Sequence, residues 1–189
     1  MKTGMRTDSP PPLPSAERLQ QLLFDAAKIG RTDMIAALVQ AGGDIAGHNE
    51  DGYTPLILAS YNGHLDTTTA FLEAGAAVDG ADLSRGNTAL MGCAFKGYAE
   101  IAAALINAGA DVNRRNLAGQ TALMLAAMFA RDDIVDLLLA AGADANLRDI
   151  AGNIAASVAA AQQNHALSNR LIAADVGLRS SDHCRTGPE

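Results

Sequence analysis

Residues 51–79 read DGYTPLILASYNGHLDTTTAFLEAGAAVD, and two later stretches repeat their plan: RGNTALMGCAFKGYAEIAAALINAGADVN at 85–113 and AGQTALMLAAMFARDDIVDLLLAAGADAN at 118–146. Each opens on a Gly turn followed by a Thr suited to cap the helix after it. A short helix rich in Leu and Ala comes next, ended in the first two stretches by a Gly that can take φ > 0. A second helix carries apolar residues at helical spacing, such as Ile134, Leu137, Leu138 and Leu139. It closes on Ala-Gly-Ala, and a polar turn leads into the next unit. Neither helix can bury its apolar face alone, so the units must stack.

Outward from these stretches the period holds. Gly52, Gly86, Gly119 and Gly152 are separated by 34, 33 and 33 residues, and Gly42, Gly75, Gly109 and Gly142 by 33, 34 and 33. A third series, Gly30, Gly63 and Gly97, lapses at Ala130, and the additional residue falls in the loop Asp82-Leu83-Ser84-Arg85. Three interleaved series on one period predict an all-α solenoid of helix–turn–helix units joined by short turns, about five repeats in all. The frame predicts a disordered Pro-rich leader over 1–17, an atypical N-terminal repeat over 18–50, and repeats over 51–84, 85–117 and 118–150. A degenerate capping repeat follows over 151–175, with Ile154 in place of the Thr, and then a polar tail over 176–189. The leader's cluster Pro10-Pro11-Pro12 and Pro14 favours extended chain over helix and is read as part of a plain disordered leader, with a weak PxxP docking motif as the alternative.

Composition fits this plan. Of 189 residues, 49% are hydrophobic but only 4% aromatic, with no Trp and 39 Ala. Ala lets stacked helices approach closely and is the best helix former. The apolar fraction excludes a wholly disordered chain, and a formal net charge of −7 disfavours nucleic acid. No window has the uninterrupted apolar length of a membrane span, and the first residues lack a signal-peptide core, so a cytoplasmic protein without membrane contact is expected. Two Cys, Cys93 and Cys184, make no disulfide framework and suggest a reducing compartment.

The units resemble ankyrin repeats. The match is carried by Asp51-Gly52-Tyr53-Thr54-Pro55-Leu56 with Ala59, then Gly63-His64 and Gly75-Ala76, and by Thr88-Ala89-Leu90 and Thr121-Ala122-Leu123. It covers roughly residues 18–175. The family's signature His is replaced by Phe24, Ile57, Met91, Met124 and Ser157, so the hydrogen bonds it makes are expected to be missing. The resemblance implies a non-enzymatic protein–protein interaction module that binds a partner protein, without cofactor, through its concave groove and turn tips. Two alternatives follow from resemblance alone. Small bacterial members of the family sometimes assist an oxidative-stress enzyme such as catalase, and others are secreted host-directed effectors.

Mapped onto this chain, the partner-facing positions implied are Glu50, Asp51, Tyr53, Tyr61 and Asn62 in the second unit. Arg85, Asn87, Phe95 and Lys96 follow in the third, and Gln120, Met128 and Phe129 in the fourth. Four of the seven aromatic residues fall on these positions, and Tyr61, Phe95 and Met128 are equivalent across units and predicted to form a row. Such a row is either an interface core or rings folded back onto neighbouring helices. Residues 17–83 carry a net charge of −7 and residues 84–175 a net of −1. That asymmetry either orients a partner or is ordinary solubilising charge.

Catalytic chemistry finds little support. His64 occupies the structural Gly-His position, and His48 and His165 are read as solvated side chains. His183 and Cys184 lie on the tail without metal-ligand spacing. Cys93 reads as a packed small residue and not a nucleophile. Asp132, Asp133 and Asp136 suit a helix N-terminus and solvent. No glycine-rich phosphate loop occurs, so no enzyme is expected.

Overall fold

Thr54, Thr88 and Thr121 each cap a helix. Their Oγ1 atoms accept from the backbone N–H of Ile57, Met91 and Met124 at 3.2, 3.4 and 3.3 Å. The computed structural model describes residues 14–182, with the backbone alone from 175 on. The capped helices are α3 (Pro55–Tyr61), α5 (Ala89–Lys96) and α7 (Ala122–Met128), and each is followed by an antiparallel partner: α4 (Leu65–Glu73), α6 (Ala99–Asn107) and α8 (Asp132–Ala140). Two further pairs flank them, α1 (Ala16–Ile29) with α2 (Thr32–Gln40), and α9 (Ala155–Ala161) with α10 (His165–Asp182). Helices α1, α3, α5, α7 and α9 pack in sequence as one layer, and α2, α4, α6 and α8 as a second. The result is an all-α helical solenoid. Among the described residues the turns contain a single antiparallel bridge, between Ala81 and Thr88.

Equivalent residues stack into ladders. Leu23, Leu56, Leu90 and Leu123 are buried along the first layer, and Leu38, Phe71, Leu105 and Leu138 along the second, with Leu171 of α10 buried at the equivalent position. Between them runs a ladder of small residues, Ala26, Ala59, Cys93, Ala126 and Ala159, all buried. Cys93 stands where its neighbours have Ala, and burial pushes its thiol up to about 12. It is therefore a thiol at neutral pH and no nucleophile. The signature-His positions Phe24, Ile57, Met91 and Met124 are likewise buried and apolar.

The ends of the stack depart from the sequence reading. Helix α1 begins at Ala16, inside the segment assigned to the leader, because Ser15 Oγ accepts from Arg18 N–H at 3.3 Å and starts the helix early. Ile154 has no hydroxyl, so Ser157 takes over: its Oγ accepts from Ile154 N–H at 2.9 Å and donates to Ile154 O at 2.8 Å. Helix α10 runs on to Asp182, through the first part of the segment read as a polar tail. No Pro interrupts it before Pro188. His183 and Cys184 lie outside the described residues. Arg170 on α10 reaches Asp132 at 3.3 Å and Asp136 at 3.4 Å, so the acidic patch of α8 also pairs with the unit that follows it. These pairs are exposed and contribute little to stability.

Two edges tie unit to unit. At the turn tips, the N–H groups of Leu83, Leu117 and Ile150 donate to the carbonyls of Gly52, Arg85 and Ala118 at 3.0, 2.9 and 3.0 Å. At the opposite edge, Gly30 has φ +80, and a Cβ there would meet His64 Nδ1 at 2.7 Å. Only Gly admits both that conformation and that approach. The imidazole lies across it, with Nε2 3.0 Å from Lys28 O. Tyr98 and Arg131 lie over Gly63 and Gly97 in the same way.

Candidate functional site

The exposed side of the first-helix layer forms a groove bordered by the turns. Four turns share one lock. Asn49, Asp82, Asn116 and Asp149 each donate a backbone N–H to the carbonyl of Tyr53, Asn87, Gln120 and Asn153, at 2.9–3.0 Å. Their side chains accept N–H groups of the same turn, as in Tyr53 N–H to Asn49 Oδ1 at 2.8 Å. The turn at Asp82 holds the additional residue. Its carboxylate is buried and takes the N–H groups of Ser84, Arg85 and Asn87 and the Ser84 hydroxyl, at 2.6–2.9 Å. Burial alone would raise its pKa, but these four donors outweigh it and hold the carboxyl below the usual range.

The rings stand at the other, C-terminal ends of the first helices. Tyr61 and Phe95, each in the last turn of its helix, lie nearly parallel at 12° with centroids 6.2 Å apart. Phe95 meets Phe129 edge to face at 4.6 Å. Lys96 Nζ sits 4.4 Å from the Tyr61 ring centroid, a cation–π contact. The three rings remain 36–40% exposed, whereas Phe71 is 0% exposed. Phe95 and Phe129 thus pack on each other and still face solvent. Phe129 adds a ring to the row expected at Tyr61, Phe95 and Met128. Helix α7 ends at Met128, and Phe129 follows as its C-cap with φ −106. Met128 is half-buried.

Tyr53 and Tyr61 form a wall between two depressions. One, of about 540 Å³, lies between that wall and Phe95, above Ile57, Met91 and Gly92. Arg85, Asn87, Asn116 and Gln120 form its turn side. The other, of about 500 Å³, is bordered by Asp25, Lys28, Glu50 and Asp51. The structure therefore gathers Tyr53, Tyr61, Arg85, Asn87, Phe95 and Gln120 around the first depression and Glu50 and Asp51 beside the second. Asn62 behaves differently: its Nδ2 donates to Leu58 O at 2.7 Å and finishes α3. Arg85 is exposed and makes no ion pair among the described residues. His48, read as solvated, has Nε2 3.2 Å from Ala81 O, because the neighbouring turn lies one unit away and presents that carbonyl.

Two residues of the site escaped the sequence reading. Asn116 binds Asn87 Oδ1 at 2.9 Å and Gln120 Oε1 at 3.2 Å through its Nδ2. Its signal is the spacing of Asn49, Asp82, Asn116 and Asp149, hidden by the alternation of Asn with Asp. Gly92 stands where the neighbouring units have Leu58 and Leu125, and that missing side chain opens the floor of the first depression. Among the described residues, no three of His, Cys, Asp and Glu gather as a metal ion requires. No helix of the described residues is long and apolar enough to cross a membrane.

Comparison with known proteins agrees with this geometry. A family model described as ankyrin repeats matches in three copies, over residues 23–116 and 79–149. The chain is similar to ankyrin repeat and SAM domain-containing protein 6 of Mus musculus, 34% identical over 105 residues, which is 55% of this chain and 12% of that protein. The Rattus norvegicus protein of the same name is 32% identical over 105 residues, with the same coverage. The chain thus spans about an eighth of the length of the curated relatives it matches.

Proposed function

Because the chain belongs to the ankyrin-repeat family, whose members serve in general as protein–protein interaction modules, we propose that it is a non-enzymatic adaptor that receives a partner protein on the groove between its first helices and turn tips. One observation carries this reading. Tyr61, Phe95 and Phe129 form a contiguous row in which Phe95 meets both neighbours, and all three stay exposed. In a chain with seven aromatic residues, a solvent-facing row of three is a costly use of apolar area unless something covers it. Aromatic residues on a rigid frame are the side chains that most often dominate interface energetics.

The test compares wild type with the Tyr61→Ala, Phe95→Ala, Phe129→Ala triple variant in quantitative binding to a partner recovered by affinity capture. The rings are surface groups, so the helical circular dichroism is expected to be unchanged while affinity falls by about a hundredfold or more. Undiminished binding by the folded variant would sink the groove assignment.

A further inference from the structure

The donor side of the central depression has a fixed polarity. Asn116 Oδ1 accepts the backbone N–H groups of Ala118 and Gln120 at 3.0 and 2.9 Å. Its amide nitrogen must therefore point the other way, where it donates to Asn87 Oδ1 and Gln120 Oε1. Flipping Asn116 would set N–H against N–H, and flipping either neighbour would set its amide nitrogen against Asn116 Nδ2. Both Asn87 and Gln120 are thereby held with their oxygens occupied and their NH₂ groups left as unused donors. Arg85, beside them, adds an exposed guanidinium without an ion pair. The one carboxylate nearby, Asp82, is saturated by its own turn. This side of the depression presents donors and positive charge, while the amide oxygens of Asn87 and Gln120 and both oxygens of Asp82 are each already engaged.

The opposite sides are apolar. Tyr53 and Tyr61 form one wall, Phe95 the other, and the floor is lowered by Gly92, where a Cβ would meet nothing closer than Tyr61 Cδ2 at 3.4 Å. Gly within a helix lowers its stability relative to Ala, and here it leaves room for a foreign side chain. Beyond the tyrosine wall the surface turns acidic at Asp25, Glu50 and Asp51, which would repel a second carboxylate.

We infer that the central depression takes a linear segment of the partner protein in which a bulky apolar side chain, seated over Gly92, is followed closely by a carboxylate received by Arg85, Asn87 and Gln120. This rests on the groove reading above and specifies the chemistry of its occupant. Arg85 supplies the charge. The two amides, held by Asn116, supply direction.

The test uses the full chain and short synthetic peptides on a Gly-Ser background, in which Phe, Leu or Ala stands one to three residues from Asp, Asn or Lys. Binding is read by fluorescence anisotropy. Wild type is expected to hold Phe–Asp or Leu–Asp peptides about tenfold more tightly than their Asn counterparts and than Ala–Asp peptides. Gly92→Leu, which fills the floor as Leu58 and Leu125 do in their own units, is expected to abolish the binding. Arg85→Glu, a change at an exposed position that leaves the fold alone, is expected to move the preference from Asp to Lys. Should Gly92→Leu not fold, Arg85→Glu decides. Several results would overturn the inference: no peptide bound by wild type, equal binding of Asp, Asn and Lys peptides, or unaltered selectivity in Arg85→Glu. So would 3-phenylpropanoate binding as tightly as the best peptide, or a solution dimer that Gly92→Leu dissociates, since these give the depression to a small molecule or to a second copy. Partner binding lost in the triple aromatic variant but kept in Gly92→Leu would remove the pocket and leave the groove. Partner binding kept in the triple variant would remove the groove itself.

Discussion

At the scale of single residues, Asp82 shows how one side chain absorbs an insertion. The turn at Asp82, second of the four, is longer than its neighbours by one residue, and a carboxylate with two oxygens can close it where Asn49 and Asn116 close theirs with one. Asp82→Asn keeps one acceptor but aims an NH₂ group at the N–H of Asn87. A loss of about 1–2 kcal/mol is expected at neutral pH. The sign with pH follows from the depressed carboxyl. Its contribution is complete above the ordinary carboxylate value near 4 and is lost as pH falls through the lower folded value. Wild type and Asp82→Asn should therefore differ in urea midpoint at pH 7 and converge in strong acid. A gap that persists in acid would mean that the ionised carboxylate is not what holds the turn. Equality at pH 7 would remove Asp82 from the account altogether.

At the scale of elements, the helices were legible because their punctuation repeats. Thr54, Thr88 and Thr121 and the glycine series mark the same points in each unit, and the structure places caps and left-handed turns there. What stayed hidden depends on side-chain direction and not on period. Phe129, one position past the end of α7, is the ring that meets Phe95. Ser15 and Ser157 keep helices that the Thr pattern alone would not supply. The lapse of the third glycine series also has a consequence. Ala130 adopts φ 51 at the turn between α7 and α8, where the preceding units have Gly. The left-handed region costs a non-Gly residue roughly 1–2 kcal/mol, part of which the greater unfolded-state freedom of Gly would offset. Ala130→Gly is expected to stabilise by about 0.5–1 kcal/mol, raising the thermal midpoint by roughly 2 °C. Calorimetry showing a lower midpoint would mean that the turn carries no such strain.

At the scale of the whole molecule, the candidate site was half legible. The ankyrin resemblance implied the groove positions in the second to fourth units, and the aromatic residues and the charge asymmetry could be placed on them from the sequence. The pocket was not legible, because it arises from an absent side chain at Gly92 and from the polarity of an amide network that only three dimensions set. The polarity of charge is also tempered by structure: the guanidinium groups of Arg115 and Arg148 spend hydrogen bonds on the carbonyls of Gly119 and Gly152, whereas that of Arg85 spends none on the described residues.

The column on the edge opposite the turn tips has a bearing on how such a chain can be rewritten. His64, Tyr98 and Arg131 differ in size, charge and shape, yet each rests on the same bare surface, a glycine of the preceding unit. The socket is constant and the plug is free. Excising residues 85–117 would bring Arg131 onto Gly63, a seat with no side chain to refuse it. The shortened protein should remain helical and cooperative by circular dichroism, with a lower melting midpoint because one slice of buried apolar area is gone. It should also have lost the Gly92 pocket. Collapse to an unfolded chain would show that neighbours are matched to each other in particular. Survival would show a molecule whose grammar lies in its joints, with the words between them open to exchange.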